Sequence, residues 1–387
     1  MPFLLSSPSI PIIIVTLEIE VVYLHLTRLT LARYRNLAPL TLEPGPGTAV
    51  FVGRNAQGKT NIVESIYFCC TGRSHRTQHD RELIRWNEQN AYIRADALHR
   101  DGAHSVEIGL NAVGRKLMKL NGLPARRAGE LMGHVNSVMF SPEDLSLVKS
   151  GPAVRRRFLD MDISQTDAAY FYDLQTYQKA LMQRNSLLKG ISFNPKLMDT
   201  LDVWDEQLAR SGGRIVVKRR AYAARLFEAA VEMHGKLASG EKLEARYMAA
   251  LESNAPQEAE EELKRLLLRA REGDVKRGAT SQGPHRDDFT LFVNGYDLRL
   301  YGSQGQHRTA ALALKLGELG VMRDATGEQP VLILDDVLSE LDAARRAGLL
   351  GAVEGIQTFI TCVKVEDEMR KLPMALYDVH EGKVSRR

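Results

Sequence analysis

A glycine-rich stretch in the amino-terminal part of the chain has the residue types and spacing of a phosphate-binding loop. It fits the pattern GxxxxGK[ST] at every fixed position, between a strand-like run and a helical run. Its residues are Gly53, Arg54, Asn55, Ala56, Gln57, Gly58, Lys59 and Thr60. In this pattern backbone N–H groups surround nucleotide phosphates, the lysine adds charge and the threonine hydroxyl binds Mg²⁺. We therefore predict phosphate binding rather than a plain glycine turn.

A second candidate site follows a short apolar run near the carboxyl terminus. Residues 331–334 are all apolar, which is typical of a strand buried on both faces, and the run ends in Asp335 and Asp336. Open α/β sheets bind ligands at the carboxyl ends of their strands. We predict that Asp335 holds Mg²⁺ through water and that Asp336 polarises the attacking water. Two merely solvated carboxylates are the simpler interpretation, which the phosphate loop in the same chain disfavours.

A polar loop before this apolar run is the third candidate. Residues 303–306 read SQGQ and open a segment with leucines and alanines typical of a helix, which indicates an anion site at a helix N-terminus. An ordinary helix cap would explain the loop if it stood alone. Together with SELD at residues 339–342, its position matches the order of the signature loop and D-loop in ABC-type ATPases. We assign Ser303, Gly305 and Gln306 to the signature loop, and Ser339 and Asp342 to the D-loop.

The elements that must position these residues follow from the pattern of the chain. Residues 24–31 alternate in polarity and residues 48–52 are mostly apolar, so both predict strands, and residues 61–70 are helical in character. Residues 164–277 form a helical block with few glycines or prolines. Breaks in this block are predicted at residues 190–195, 212–213 and 255–256. Strand-like sequence returns from Phe289 onward.

We therefore predict an α/β fold, an ABC-type P-loop ATPase head that is split in sequence by an inserted, mainly helical domain. The predicted segments are an N-terminal extension at 1–22, the first part of the head at 23–163, the helical insertion at 164–277 and the second part of the head at 278–387. We expect the extension to be disordered or foreign to the native protein.

Length, composition and charge exclude several protein classes. The 387 residues, 44% of them hydrophobic and 26% charged, can build a sizeable core, which excludes a disordered polyelectrolyte. Lys and Arg total 52 against 48 Asp and Glu, which permits an acidic partner without requiring one. The three cysteines predict reduced thiols and a cytoplasmic location. Apolar residues 3–15 lack a preceding basic residue and contain prolines, so neither a signal peptide nor a membrane span is predicted.

Several motifs, in order, resemble the RecF family of SMC-like DNA-repair ATPases, from about Tyr23 to the carboxyl terminus. Besides the phosphate loop and the signature loop, they are LTLARYRNL at 29–37, Asn61 and Glu64, FSPEDL at 140–145, RRFLD at 156–160, GPHRDD at 283–288 and LDDVLSELD at 334–342. The long gap between phosphate loop and signature loop differs from ABC transporter subunits, and SMC proteins proper would need a much longer coiled coil.

The resemblance implies an ATP- and Mg²⁺-dependent protein of recombinational DNA repair and replication-fork maintenance. Family members form ATP-dependent homodimers on duplex or gapped DNA at single-strand/double-strand junctions. They work with RecR and RecO to load RecA onto single-stranded DNA, and weak, DNA-stimulated ATP hydrolysis accompanies release. Carried over to this chain, Lys59 and Asp336 are catalytic, Thr60 and Asp335 hold Mg²⁺, and the signature loop contacts ATP in a second subunit. No membrane partner is expected.

Departures from the wider ABC pattern concern hydrolysis. Asp336 stands where transporters commonly carry Glu. No histidine follows the apolar segment at 358–361, so the switch histidine is absent or replaced by a threonine. Residues 140–145 offer Glu143 and Asp144 where a Gln-loop would have glutamine. These features favour slow turnover.

The DNA contacts and one alternative function stay open at this stage. Each basic group, taken singly, is better explained as solvated or ion-paired surface than as a phosphate contact. These groups are Arg126-Arg127, Arg155-Arg156-Arg157, Lys218-Arg219-Arg220 and Arg345-Arg346. The alternative function is a soluble ABC-type subunit that energises a membrane transporter.

Overall fold

The computed structural model describes residues 24–191, 193–238 and 240–387, so the predicted extension at 1–22 lies outside the described residues. Within these ranges, a mixed central sheet carries the phosphate loop. Its strands are β3 (Thr48–Val52), β8 (Ser137–Phe140), β12 (Val331–Asp335), β13 (Thr358–Cys362), β14 (Met374–His380) and β15 (Lys383–Arg386). Their order is β15-β14-β3-β13-β12-β8, and all neighbours are parallel except β14 and β15. Strands β12 and β13 are buried along their whole length, as the all-apolar sequence run predicts.

An antiparallel sheet forms the other side of the amino-terminal part. Its strands are β1 (His25–Ala32), β2 (Leu40–Leu42), β4 (Asn90–His99), β5 (Gly102–Asn111), β6 (Lys116–Leu120) and β7 (Leu123–Ala125), in the order β2-β1-β4-β5-β6-β7. Buried and partly exposed residues alternate along β4, which is the pattern of a strand with one face on the core.

The helices and a small third sheet complete the described residues. The helices are α1 (Lys59–Thr71), α2 (Ser146–Lys149), α3 (Pro152–Thr166), α4 (Ala168–Ile191), α5 (Leu201–Leu237), α6 (Pro256–Arg277), α7 (Leu298–Tyr301), α8 (Gln304–Thr326) and α9 (Ala343–Ala352). The third sheet is antiparallel, in the order β11-β10-β9, with β9 (Leu243–Met248), β10 (Asp288–Val293) and β11 (Tyr296–Asp297).

Helix α1 packs between the central and antiparallel sheets. Its fully buried Ile62, Ile66 and Phe68 share one hydrophobic cluster with Leu29 of β1 and Phe359 of β13. Burying such side chains contributes about 1.5–3 kcal/mol each. The helix that follows the phosphate loop is therefore clamped from both faces, which fixes the direction of its N-terminus.

The break predicted at Gly212-Gly213 is wrong. Helix α5 runs through both glycines without interruption. They serve close packing instead, because a Cβ atom on Gly213 would lie 2.6 Å from the backbone nitrogen of Glu260 on α6. The predicted breaks at 190–195 and 255–256 are confirmed, since α4 ends at Ile191 and α6 begins at Pro256.

Strand β9 lies inside the predicted helical block and pairs along its whole length with β10, which follows that block. Apolar residues of α3, α5, α6, β10 and α8 share one hydrophobic cluster. The packing is thus continuous across the predicted boundary at 277/278, and the domain boundaries stay a prediction.

The described cysteines are free and buried, in agreement with reduced thiols. Burial raises the pKa of the Cys70 thiol to about 12. None of the helices in the described ranges is long and apolar enough to cross a membrane.

Candidate nucleotide-binding site

The loop at residues 53–60 joins the carboxyl end of β3 to the first turn of α1. Gly53 has no room for a side chain, because a Cβ atom there would lie 2.3 Å from the Val379 carbonyl oxygen. Ala56 and Gly58 have φ angles of 64° and 113°. Left-handed residues of this kind gather successive backbone N–H groups into an anion-binding concavity. The predicted loop therefore has the backbone shape that phosphate binding requires.

Lys59 folds back into this loop instead of extending into solvent. Its Nζ donates hydrogen bonds to the carbonyl oxygens of Gly53 at 2.7 Å and Arg54 at 2.9 Å, and the residue is buried. Arg54 and Asn55 are exposed at the surface of the loop. Because neutral carbonyls hold the ammonium group, a charged phosphate can replace them with stronger hydrogen bonds.

The two predicted Mg²⁺ ligands meet although they lie 275 positions apart in sequence. The Thr60 hydroxyl donates a hydrogen bond to Asp335 Oδ1 at 3.0 Å. Thr361, which lies opposite Asp335 in the β12–β13 pairing, donates to the same oxygen at 2.7 Å. Burial raises the pKa of the Asp335 carboxyl, while the hydrogen bonds from Thr361 and Thr60 oppose this rise. Clustered hydroxyl and carboxylate oxygens are the donors that Mg²⁺ prefers, so these residues fit the cation.

Asp336 is held in an unusual backbone conformation at the end of β12. Its φ of 56° lies in the left-handed region, which is uncommon for a residue with a side chain. Its backbone N–H donates to Thr361 Oγ1 at 2.9 Å. Ser339 Oγ donates to the Asp336 carbonyl oxygen at 2.8 Å and to Asp336 Oδ1 at 3.3 Å. Thus the predicted D-loop serine and Thr361 fix the orientation of Asp336 from two sides.

Sequence reasoning did not find the contacts that support the loop from outside. Glu64 on α1 is fully buried and accepts two hydrogen bonds from Arg35, at 3.0 and 2.8 Å, and one from Ser74 at 2.6 Å. Gln57 Oε1 accepts a hydrogen bond from the backbone N–H of Glu381 at 2.6 Å. Glu64 is among the residues that resemble the RecF family, which could have pointed to its pair with Arg35. No sequence pattern near Glu381 predicts its contact with Gln57.

The predicted signature loop forms the N-terminus of α8, away from the phosphate loop. Ser303 caps the helix: its Oγ accepts a hydrogen bond from the Gln306 backbone N–H at 3.2 Å, and Gln306 Oε1 accepts one from the Ser303 N–H at 2.9 Å. Gln306 Nε2 also donates to Glu241 at 3.0 Å. Ser303 is exposed and Gly305 is partly exposed. Among the described residues, no hydrogen bond or ion pair joins this loop to residues 53–60.

The D-loop and the signature loop are connected within the same chain. Asp342 caps α9 and forms an ion pair with Arg345. Arg345 Nε donates to Thr309 Oγ1 on α8 at 2.9 Å, and Thr309 in turn donates to the Gly305 carbonyl oxygen at 2.9 Å. Three side chains, Asp342, Arg345 and Thr309, therefore connect the predicted D-loop to the predicted signature loop.

Residues 142–145, where a Gln-loop would lie, form one 3₁₀ turn directly after β8. Glu143 is exposed, whereas Asp144 Oδ2 accepts a hydrogen bond from the Ser141 N–H at 2.7 Å. Burial raises the pKa of Asp144 to about 6. This segment lies beside the site, but neither carboxylate forms a hydrogen bond to Asp335 or Asp336.

Most basic groups that the sequence offered to DNA are bonded inside the protein. Arg155 forms a two-pronged ion pair with Asp288 at 2.6 and 2.8 Å, and Arg219 is buried against Asp160 at 2.8 Å. Comparable partners hold Arg156 (Asp287 carbonyl), Lys218 (Asp167), Arg220 (Leu251, Glu252 and Ser253 carbonyls), Arg345 (Asp342) and Arg346 (Glu368). In the described part of the chain, the remaining side chains, Arg126, Arg127 and Arg157, form no hydrogen bond or ion pair.

Comparison with known proteins decides the family. The model described as "RecF/RecN/SMC N terminal domain" matches residues 25–383. The DNA replication and repair protein RecF of Lachnoclostridium phytofermentans is 44% identical over 340 residues, which is 88% of this chain and 92% of the relative. The chain belongs to the RecF family. RecF relatives of this kind are described as DNA replication and repair proteins.

Solved structures agree with the RecF assignment. A structure described as the recombination mediator protein RecF with ATP in the RecFOR pathway is 40% identical, covers 94% of this chain and 98% of that chain, and has a TM-score of 0.88. The SMC head domain of Pyrococcus furiosus, at 17% identity, covers 94% of this chain and 96% of its own with a TM-score of 0.55. The latter shows the fold alone. The predicted ABC-type, SMC-like head is confirmed as the fold class.

Proposed function

We propose that this RecF-family protein is an ATP-driven switch of recombinational DNA repair. The observation that carries the proposal is the convergence of Lys59, Thr60, Asp335 and Asp336 at one edge of the central sheet, while Ser303 is exposed on a separate helix. The phosphate loop and the two aspartates thus form one half of an ATP site, and the signature loop that would form the other half is exposed at Ser303. The ATP that the related RecF structure carries supports the same nucleotide for this chain.

In this proposal residues 53–60 bind the phosphates of ATP, with Lys59 exchanging its loop carbonyls for phosphate oxygens. Thr60 and Asp335 hold Mg²⁺, which when bound supplies positive charge beside the phosphates. Asp336 accepts a proton from the attacking water, at a position set by Thr361 and not by a switch histidine. An aspartate reaches less far than a glutamate, which accounts for slow hydrolysis.

ATP binding assembles a homodimer. Ser303, Gly305 and Gln306 of one subunit complete the nucleotide site of the other, because the exposed N-terminus of α8 offers N–H groups and a positive dipole end to phosphate. The Asp342–Arg345–Thr309 connection carries the state of one site to the signature loop of the same subunit.

The dimer closes on duplex or gapped DNA at single-strand/double-strand junctions and, with RecR and RecO, helps to load RecA onto single-stranded DNA in the cytoplasm. Hydrolysis, stimulated by DNA, opens the dimer. The family assignment supports the repair role. The same head fold would also suit a subunit that drives a membrane transporter, and that alternative predicts brisk hydrolysis without DNA.

Steady-state ATP hydrolysis with and without duplex DNA separates these functions. We expect a low basal rate that rises when duplex DNA is added, and a rate near background for Lys59→Arg, which keeps the charge but changes the ammonium geometry. A high basal rate that duplex DNA leaves unchanged would contradict the proposal and favour the transporter subunit.

A further inference from the structure

A groove of 690 Å³ lies outside the nucleotide site, between the segment that follows α1 and helices α3 and α4. Its lining includes Arg73, Gln78, Arg157 and Gln178, all of which are exposed. We call it the arginine groove. None of the roles proposed above uses it.

The arginines of this groove have no internal partner. Among the described residues, the side chains of Arg73 and Arg157 form no hydrogen bond or ion pair, in contrast to Arg155 and Arg156, which precede Arg157 in the sequence. Arg127 and Tyr172 are the sequence neighbours of the lining residues Ala128 and Phe171, and the guanidinium of Arg127 lies over the Tyr172 ring at 5.9 Å, which orients it without neutralising it.

The acidic residues of the groove are already neutralised. Asp80 pairs with Lys116 at 2.7 Å. Asp160 pairs with the buried Arg219 at 2.8 Å and also accepts a hydrogen bond from Tyr170. The free charge that the groove presents is therefore positive, and an unpaired arginine matches the oxygens of a phosphate group with two parallel N–H donors.

We propose that the arginine groove binds the sugar-phosphate backbone of duplex DNA, an inference that rests on the proposed function. The polar lining favours a nucleic acid over an acidic polypeptide. Phe171 and Met132 in the groove are buried and Met161 and Leu174 are only partly exposed, so the groove offers no fully exposed apolar anchor of the kind on which polypeptide binding depends. Gln78 and Gln178 are suited to donate hydrogen bonds to phosphate oxygens.

The test is a triple variant, Arg73→Gln, Arg127→Gln and Arg157→Gln, in the full chain with ATP and a fluorescent duplex. Neutralising three phosphate contacts should flatten the slope of log affinity against log salt by about 3 and weaken binding at least ~10-fold at 0.1 M salt. The matched control neutralises Lys264, Arg265 and Arg269, which are exposed on α6 and lie outside the groove. This control should keep duplex binding within about twofold. Unchanged thermal unfolding of both variants excludes misfolding as the cause.

Three results would overturn the inference in distinguishable ways. If the wild type binds duplex DNA with ATP and the groove variant binds it equally well, the groove proposal alone is wrong. If both triple variants weaken binding equally, the effect is one of net charge and no groove is involved. If the groove variant loses a fluorescent poly-glutamate peptide but keeps DNA, the groove takes an acidic polypeptide. A wild type that binds no duplex in any nucleotide state would contradict the proposed function as well.

Discussion

Thr361 joins the Asp335 carboxylate to the Asp336 backbone through one hydroxyl group. The hydroxyl donates to Asp335 and accepts from the backbone N–H of Asp336, and Thr361 is fully buried. A left-handed φ at a non-glycine residue costs on the order of 1 kcal/mol or more and persists only where the surroundings enforce it. Thr361 and Ser339 provide that enforcement, so the orientation of Asp336 depends on these two side chains.

Removing this hydroxyl while keeping the side-chain shape should slow hydrolysis more than it weakens ATP binding. We expect Thr361→Val, which loses both hydrogen bonds of the hydroxyl, to lower kcat about tenfold, with ATP affinity changed by less than about threefold. Thr361→Ser retains the hydroxyl and is the matched control. Single-turnover hydrolysis and ATP titration measure the two quantities, and equal rates for the valine and serine variants would show that Thr361 has no positioning role.

At this scale the sequence predicts residue types better than partners. The phosphate loop and Asp335-Asp336 could be found because their spacing is local and their chemistry is specific. The contacts of Thr361 with Asp335 and Asp336 could not be predicted, because they depend on the β12–β13 register, which pairs Asp335 with Thr361. Adjacent glycines also predict a helix break wrongly when the helix that packs against them is unknown: Gly212-Gly213 suggested a break but lies inside α5, against α6.

At the scale of elements, α5 is the helix against which α6 and α8 pack. At Gly213, α5 approaches the backbone of α6 closely. At Gly317, α8 approaches the backbone of α5, where a Cβ atom on the glycine would lie 3.0 Å from the Ala230 nitrogen. The hydrophobic pattern predicts that these helices are amphipathic, but it does not predict which glycine allows the approach.

Gly213→Ala should destabilise the protein, whereas Gly235→Ala in the same helix should not. A Cβ atom on Gly213 would overlap the α6 backbone, and such overpacking costs about 1–3 kcal/mol. A Cβ atom on Gly235 meets nothing within 4 Å, so the better helix propensity of alanine should add up to about 1 kcal/mol. Denaturant unfolding measures both, and a neutral Gly213→Ala would refute close packing at this site.

A buried polar network ties α4 to the GPHRDD segment. His285 Nε2 donates to the Thr280 carbonyl oxygen at 3.0 Å, and its Nδ1 accepts the hydroxyl of Tyr177 at 2.6 Å, an arrangement that requires a neutral ring. Burial, opposed by the hydrogen bond to Thr280 and aided by the positive charges of Arg286 and Arg156, lowers the pKa of His285 to about 4. The GPHRDD motif therefore holds α4 in place through His285, a structural role that the sequence alone does not indicate.

Acid should weaken this network as the pH falls below about 6.5. In the unfolded chain the histidine takes up a proton near pH 6.5, whereas the folded chain resists until about pH 4. The contribution to stability is complete above pH 6.5 and is lost as pH falls towards 4. Between pH 6.5 and 5 the loss should be on the order of 1–2 kcal/mol. In urea unfolding, the stability advantage of the wild type over His285→Gln should shrink across this range, and a constant difference would contradict the assignment.

At the scale of the whole molecule, net charge says little about partners. The surplus of +4 averages over arginines that are paired inside the protein, such as Arg155 and Arg219, and others that form no ion pair within the described residues. Composition permits a nucleic-acid partner but does not locate its binding surface, because the fold decides which arginines form ion pairs inside the protein. In the proposed function the nucleotide site is completed only on assembly, because the phosphate loop, Asp335 and Asp336 meet in one chain whereas Ser303 of the predicted signature loop is exposed.

The proposed switch requires that ATP drives assembly of two subunits through the signature loop. Light scattering of the eluting protein in the presence of ATP, compared with ADP, measures it directly. We predict twice the chain mass of 43.2 kDa with ATP and a single chain mass with ADP. Ser303→Arg, which places a bulky cation where the second subunit must approach, should stay at the single mass with ATP while still binding the nucleotide. A wild type that remains a monomer with ATP, or a Ser303→Arg variant that dimerises as the wild type does, would contradict the account.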